Sequence, residues 1–166
     1  MTVSVETGRA TATQYRLVFP MLPTETTLTA TDEMVLNIFS VNVPSVSLNQ
    51  SEQYWQGKHM DLHTGGLVFD PLNISFMVDA EFKNWNVLFN WLTYVSDNYE
   101  IPSAQPKDYM VDASLLLMDN WNDKVLTLMF KNMWIQSLGE LSLSIRDGES
   151  HIESSATFYY DRYEVV

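Results

Sequence analysis

Between Leu72 and Val95 the hydrophobic positions change period, and that change organises the rest of the chain. Leu72, Ile74, Phe76 and Val78 alternate with Asn73, Ser75, Met77 and Asp79, the period of a strand with one buried face. Trp85, Leu88, Phe89, Leu92 and Val95 then recur at helical spacing and predict a helix over 81–97. Asp79 is placed to cap it, and Glu81 falls in a first turn where the helix dipole favours an anion. Asn98 and Pro102 end it. A lone apolar stripe needs a partner surface, so Phe76, Trp85, Leu88, Phe89 and Leu92 are expected to form a helix–sheet contact.

The remaining elements read as strands. They fall at Tyr15–Phe19, Met34–Val41, a short Ser45–Leu48 piece, Val111–Met118 and Val125–Trp134, where Leu126, Leu128 and Phe130 share a face. A bridge at 135–138 leads to a strand with Leu141, Leu143 and Ile145 on one side and Glu140, Ser142 and Ser144 on the other. The last strand runs from Ile152 to Tyr163, with Ile152, Ala156, Phe158 and Tyr160 opposite Glu153, Ser155, Thr157 and Asp161. Residues 49–66 are polar and punctuated by Gly57 and Gly65–Gly66, which fits a projecting hairpin or long loop. Its aromatics, Tyr54 and Trp55, call for cover by something else. Residues 1–13 read as a polar N-terminal arm. About eight strands and one helix without βαβ alternation predict a mainly β (α+β) fold. It is an antiparallel sandwich or open barrel with one flanking helix, formed as a single domain over 1–166. Few charges or prolines blunt the last strands, so strand pairing between subunits is the expected remedy for open edges.

Composition narrows the function classes. No apolar run approaches the roughly 18 residues of a membrane helix, and the N-terminus lacks the apolar core of a signal peptide. With no cysteine there is no disulfide framework, thiolate metal site or cysteine nucleophile. Nine basic residues against 21 acidic ones leave a net charge of −12, which argues against wrapping nucleic acid through phosphate neutralisation. Such a surface suits solubility, or standing near a polyanion without holding it. His59 and His63 flank Asp61, but on a strand their spacing puts them about 13 Å apart, too far for one metal. Asp79 with Glu81 and Asp119 with Asp123 are better read as cap and turn chemistry than as catalytic pairs. No nucleophile elbow, phosphate loop or dinucleotide glycine pattern occurs. No catalytic, cofactor-binding or metal residues are expected, and the chain does not read as an enzyme.

Two blocks carry a family resemblance. The first is FDPLNISFMVDAEFKNWNVLFNWLTYV, Phe69 to Val95. It resembles the strand-and-helix block of baseplate-to-tube junction proteins in T-even-like phages, through Asp70, Pro71, Leu72, Ile74, Ser75, Phe76, Asp79, Asn84 and Trp91. The second runs from Met129 to Val165 and is similar to the C-terminal end of contractile-tail tube subunits, through Gly139, Glu140, Leu141, Thr157, Phe158 and Tyr160. A weaker echo begins at Ile38. Asn132–Met133 stands where that pattern usually has glycine, and no proline occurs in 135–138.

The resemblance implies a tail-tube fold, with homo-hexameric rings stacked into a hollow tube inside a tail sheath. It also implies contacts with baseplate or tube-initiator proteins, and a bore through which DNA passes without tight binding. The protein would then be a virion component made in the host cytoplasm. On this reading the 49–66 hairpin, with Tyr54, Trp55, His59 and His63, reaches a neighbouring subunit. Glu140, Glu153 and Asp161 become candidate bore-facing acids. A tube-initiating junction protein is the alternative within the family, and a type VI secretion tube protein shares the architecture. Outside the family, a monomeric sandwich binding ligands through Trp55 and Trp121 is the competing reading.

Overall fold

The computed structural model describes residues 15–19, 37–55, 57–99, 109–118, 121, 123–143 and 151–166. Among them nine strands and one helix follow in order: β1 (Tyr15–Val18), β2 (Asn37–Asn42), β3 (Val46–Trp55), β4 (Lys58–Phe69), β5 (Leu72–Met77), α1 (Lys83–Tyr99), β6 (Val111–Met118), β7 (Lys124–Leu138), β8 (Glu153–Tyr159) and β9 (Arg162–Val165). The fold is mainly β, every strand pairing is antiparallel, and the N-terminal arm lies outside the described residues.

β7 belongs to two sheets. Its first half lies between β6 and β9, with β1 beyond β6; its second half pairs β8, which leads to β5 and β2. We call these sheets A (β1, β6, β7, β9) and B (β7, β8, β5, β2). The change happens at a bulge: β6 advances two residues from Val111 to Ala113 while β7 passes three, from Met133 back to Phe130. Asn132 takes φ 53° there, a left-handed conformation that Asn tolerates better than most residues. The extra residue also flips the parity of the strand. Leu128 and Phe130 are buried before the bulge and Met133 and Ile135 after it, so the apolar face stays inward around the corner. Asn132, which stands with Met133 where the resembled pattern usually has glycine, thus occupies a left-handed position.

The core lies between the sheets. Leu72, Ile74 and Phe76 from β5 and Ala156 and Phe158 from β8 face Ala113, Leu115, Leu128 and Phe130 of sheet A. Each fully buried side chain of this size stabilises the fold by about 1.5–3 kcal/mol. α1 closes the core with Val87, Leu88 and Trp91. The Trp91 ring meets Phe19 edge-on at 5.9 Å and lies 5.7 Å from Phe158, while its indole N–H donates to the Tyr109 carbonyl at 3.1 Å.

Several elements differ from the sequence-based expectation. α1 begins at Lys83, so Asp79 is not its cap and Glu81 precedes its first turn. The chain leaving β5 turns first: the Phe82 amide donates to Asp79 O at 2.9 Å, and Phe82 adopts φ 56°. Buried Asn84 then ties strand to helix. Its Nδ2 donates to Met77 O at 2.8 Å, and its Oδ1 accepts from the amides of Asp79 (3.2 Å) and Trp85 (2.8 Å). The buried stripe runs through Asn84, Val87, Leu88 and Trp91, with Trp85 and Leu92 partly buried. Phe89 is 45% exposed and stacks on Trp85 at 5.3 Å.

The extended piece at 45–48 and the polar segment at 49–66 are one long hairpin, β3–β4. The bridge at 135–138 is the end of β7. The strand expected through Glu140, Leu141 and Leu143 is absent, and Ile145 lies outside the described residues. The last β7–β8 pair is Leu138 with Ala156, after which the Gly139 amide donates to Ser155 O at 2.6 Å and the chain departs. Alternating residues without a ladder to join do not make a strand. The final strand is broken at Asp161, where β8 ends on sheet B and β9 turns onto residues 128–131 of β7 in sheet A.

Candidate assembly surfaces

Among the described residues β3 and β4 pair only with each other. Residues directly opposite across an antiparallel pair share a face. Val46 opposes Phe69 and Leu48 opposes Leu67, so these four form one apolar strip. At its root Phe69 packs on Tyr163 (5.4 Å) and Tyr160 (6.1 Å); farther out Leu48 is 60% and Leu67 57% exposed. The strip thus starts on the body of the protein and runs out into solvent. β4 has 12 residues, a span of about 40 Å at the usual strand rise. Gly65 (φ 75°) and Gly66 (φ 89°) lie where the register slips, β3 passing from Leu48 to Gln50 while β4 passes from Leu67 to His63. Farther along, Tyr54 is opposite His59 and Trp55 opposite Lys58. The side chains of Tyr54, Trp55, His59 and His63 lie outside the described residues.

The root of this hairpin is fastened by hydrogen bonds. The Tyr160 hydroxyl donates to Asp70 O at 2.6 Å, and the Tyr163 hydroxyl to Pro44 O at 3.3 Å. Between the two arms, the Asp70 amide donates to Ser45 O at 3.2 Å and the Ser45 hydroxyl donates to the Asp70 carboxylate. Burial raises the Tyr160 pKa, helped by Tyr163 and Asp70, so its hydroxyl remains a donor at neutral pH.

The outer face of sheet B forms a second surface. Opposite the buried positions of β5 and β8 stand Asn73, Ser75, Glu153, Ser155, Thr157 and Tyr159, with Thr157 donating to Asn73 Oδ1 at 2.8 Å. Glu140 and Glu153 are brought together here, lining an open groove with Phe39, Ser75 and Ser155. Asp161 is elsewhere, at the β8–β9 corner, where its carboxylate accepts from Asn132 Nδ2 at 2.5 Å. Sheet B has two unpaired edges among the described residues: β2 and the 134–138 segment of β7. None of its strand segments on this side contains Lys or Arg, whereas sheet A carries Arg16, Lys124, Lys131 and Arg162.

A family model described as phage tail tube protein matches residues 10–166. The chain belongs to this family. Among relatives of this tail tube chain, the tail tube terminator protein of Enterobacteria phage T4 is 26% identical over 99 residues, 58% of this chain. The tail tube protein of Serratia phage KSP90 is 24% identical over 131 residues, 78% of this chain and 73% of that protein. The baseplate tail-tube junction protein of phage T4 is 30% identical over 126 residues, 75% of this chain. The chain spans only 56% of the T4 terminator and 38% of the junction protein.

The same fold occurs in the sheath/tube terminator of an extracellular contractile injection system, PVC. Its TM-score is 0.68 at 13% identity, covering 96% of this chain and 97% of that one. The chain is thus a tail tube or tube terminator-like structural protein of a phage tail, and so part of a virion, and its relatives are structural proteins, not enzymes.

Sequence reasoning passed over the apolar strip at the hairpin root, because Val46 and Leu48 are separated by Ser47 on β3 and lie about 20 residues from Leu67 and Phe69 of β4. Only the register makes them adjacent. It also left Tyr163 without a role. The visible signal was a pair of tyrosines three residues apart in a strand, a spacing that alternation alone would send to opposite faces.

Proposed function

We propose that six copies of this chain close into a ring with sheet B as its inner wall, and that such rings stack into the inner tube of a contractile phage tail. The observation that carries this is sheet B itself. Joining the β2 edge of one copy to the 134–138 edge of the next removes both open edges and closes a barrel. The wall so formed presents Ser, Thr, Asn and Gln, with Glu140 and Glu153 and no cation from its strands. DNA being ejected along it meets no Lys or Arg of these described strand segments that would neutralise its phosphates. Asp161, held at its corner, drops out of the bore-facing set. The β3–β4 hairpin lays its apolar strip, and farther out Tyr54, Trp55, His59 and His63, on a neighbouring copy. Residues 1–166 act as one tail-tube domain, with the tail sheath outside the tube and baseplate or tube-initiator proteins at one end.

The match to the T4 terminator favours a second placement, a ring that ends the tube instead of repeating along it; the junction protein is the counterpart at the baseplate. Negative-stain microscopy of the purified protein over a concentration series separates these. Six-fold rings that stack into tubes are expected. Rings that never stack would move the protein to a tube end, and monomers throughout would overturn the ring. The Leu48→Asp/Leu67→Asp variant should remain a folded monomer and lose assembly.

A further inference from the structure

We infer that Tyr160 and Tyr163 are positioning residues for assembly: they aim the β3–β4 hairpin at the neighbouring copy by holding both of its roots. The inference rests on the hairpin being the intersubunit contact proposed above. A two-stranded hairpin that pairs with no other described strand has no described ladder to fix its direction, and is by itself marginally ordered. Its direction is set where it enters at Pro44–Ser45 and leaves at Asp70. Tyr163 holds the incoming arm through Pro44 O, and Tyr160 holds the outgoing arm through Asp70 O. The bonds between Ser45 and Asp70 tie the arms to each other, so the two tyrosines orient them as a unit. Their rings are in turn seated on the core aromatic Phe130, at 4.9 Å for Tyr160 and 5.5 Å for Tyr163.

Residues three apart in a continuous strand point to opposite faces, yet these rings lie 6.2 Å from each other. The break at Asp161 makes this possible, and the bulge of β7 holds the break in place. The Asp161 amide donates to Lys131 O at 3.0 Å, and the Asn132 side chain donates to the Asp161 carboxylate at 2.5 Å. The corner between the sheets thereby sets the direction of an element that belongs to neither sheet. Fixing that direction before contact spares the complex the entropy of ordering the hairpin on binding.

The test is the Tyr160→Phe/Tyr163→Phe variant, which keeps both rings in the core and removes only the hydroxyls. The critical concentration for assembly, measured by sedimentation, should rise about tenfold, which corresponds to 1.4 kcal/mol per contact made. Below that concentration the Asp70 amide should exchange faster than in the wild type, with the thermal midpoint nearly unchanged. An unaltered critical concentration and unaltered Asp70 exchange would overturn the inference. So would a loss of assembly matched by an equal loss of thermal stability, which would make the tyrosines structural. Each single Tyr→Phe variant gives the same readouts if the double variant does not fold. Normal assembly by Leu48→Asp/Leu67→Asp would instead remove the hairpin contact itself, leaving the exchange result to stand for the root bonds alone.

Discussion

The sandwich body and the β3–β4 hairpin are built from the same kind of strand and satisfy it in different ways. In the body, each apolar face meets another face: β5 and β8 across from β6 and β7, with Trp91 filling the gap that the sheets leave. In the hairpin, Val46, Leu48 and Leu67 make an equally apolar strip, and among the described residues nothing of the chain covers its outer part. The core of the body is closed within one copy. The outer strip of the hairpin is left open by the described residues. Apolar content is therefore no guide to where the monomer's stability resides; what matters is whether the partner face belongs to the same chain.

The contrast breaks most sharply at Trp91. Trp91→Ala should destabilise the monomer by about 3–5 kcal/mol, read by urea unfolding, because a fully buried ring is replaced by a cavity. The Leu48→Asp/Leu67→Asp variant should leave the same unfolding curve almost in place. If both variants unfolded alike, the hairpin would be part of the body and the division would fail.

A smaller effect is expected at Gly139. A Cβ there would overlap the Ser155 hydroxyl and come within 3.0 Å of the Ser155 amide nitrogen. Gly139→Ala should cost about 1–3 kcal/mol of monomer stability, seen in the same unfolding curves. A neutral result would mean that the β7–β8 junction yields easily, and that this edge of sheet B is softer than the core behind it.

The smallest effect is a pH dependence at the corner. The Lys131 ammonium, 2.7 Å from Asp112, holds the Asp112 carboxyl below the usual carboxylate range, and the Asn132 amide adds to this against partial burial. A folded pKa below the unfolded one contributes stability that is present above the unfolded pKa and lost as pH falls through the folded one. The pair is partly exposed, so wild type should exceed Asp112→Asn by no more than about 1 kcal/mol at neutral pH. Thermal midpoints of the two should converge as the solution is acidified below the carboxylate range. Curves that stay parallel would remove Asp112 from the corner's stability.

What could be read from sequence follows the same division. β5, the helix and β6 were legible because their apolar faces repeat with one period and are buried within one copy, as at Leu72, Ile74, Phe76 and Leu88. The helix start was not, because Asn84 does its work through a side chain that reaches back to Met77 O, a contact no periodicity reports. The strand expected from Glu140 had the right alternation, but its described residues, 140–143, join no ladder. The last strand had one alternation and two sheets to serve, and only the Asn132–Asp161 contact reveals where it divides. Of the candidate site, Glu140 and Glu153 were expected on the polar faces of the last two strands; Glu153 lies on β8, whereas Glu140 follows the end of β7 and belongs to no strand. Their shared groove depends on Gly139 lying against Ser155, which sequence spacing does not encode.

The hairpin's roots lie far from their holders along the chain: 90 residues separate Asp70 from Tyr160, and 119 separate Pro44 from Tyr163. During synthesis both arms of the hairpin leave the ribosome long before either tyrosine has been made. A nascent chain can therefore pair β3 with β4, but it cannot aim them until the β8–β9 corner has emerged and folded. On the assembly proposed above, an unfinished chain therefore lacks the two hydroxyls that hold the hairpin's direction until its last strands are delivered.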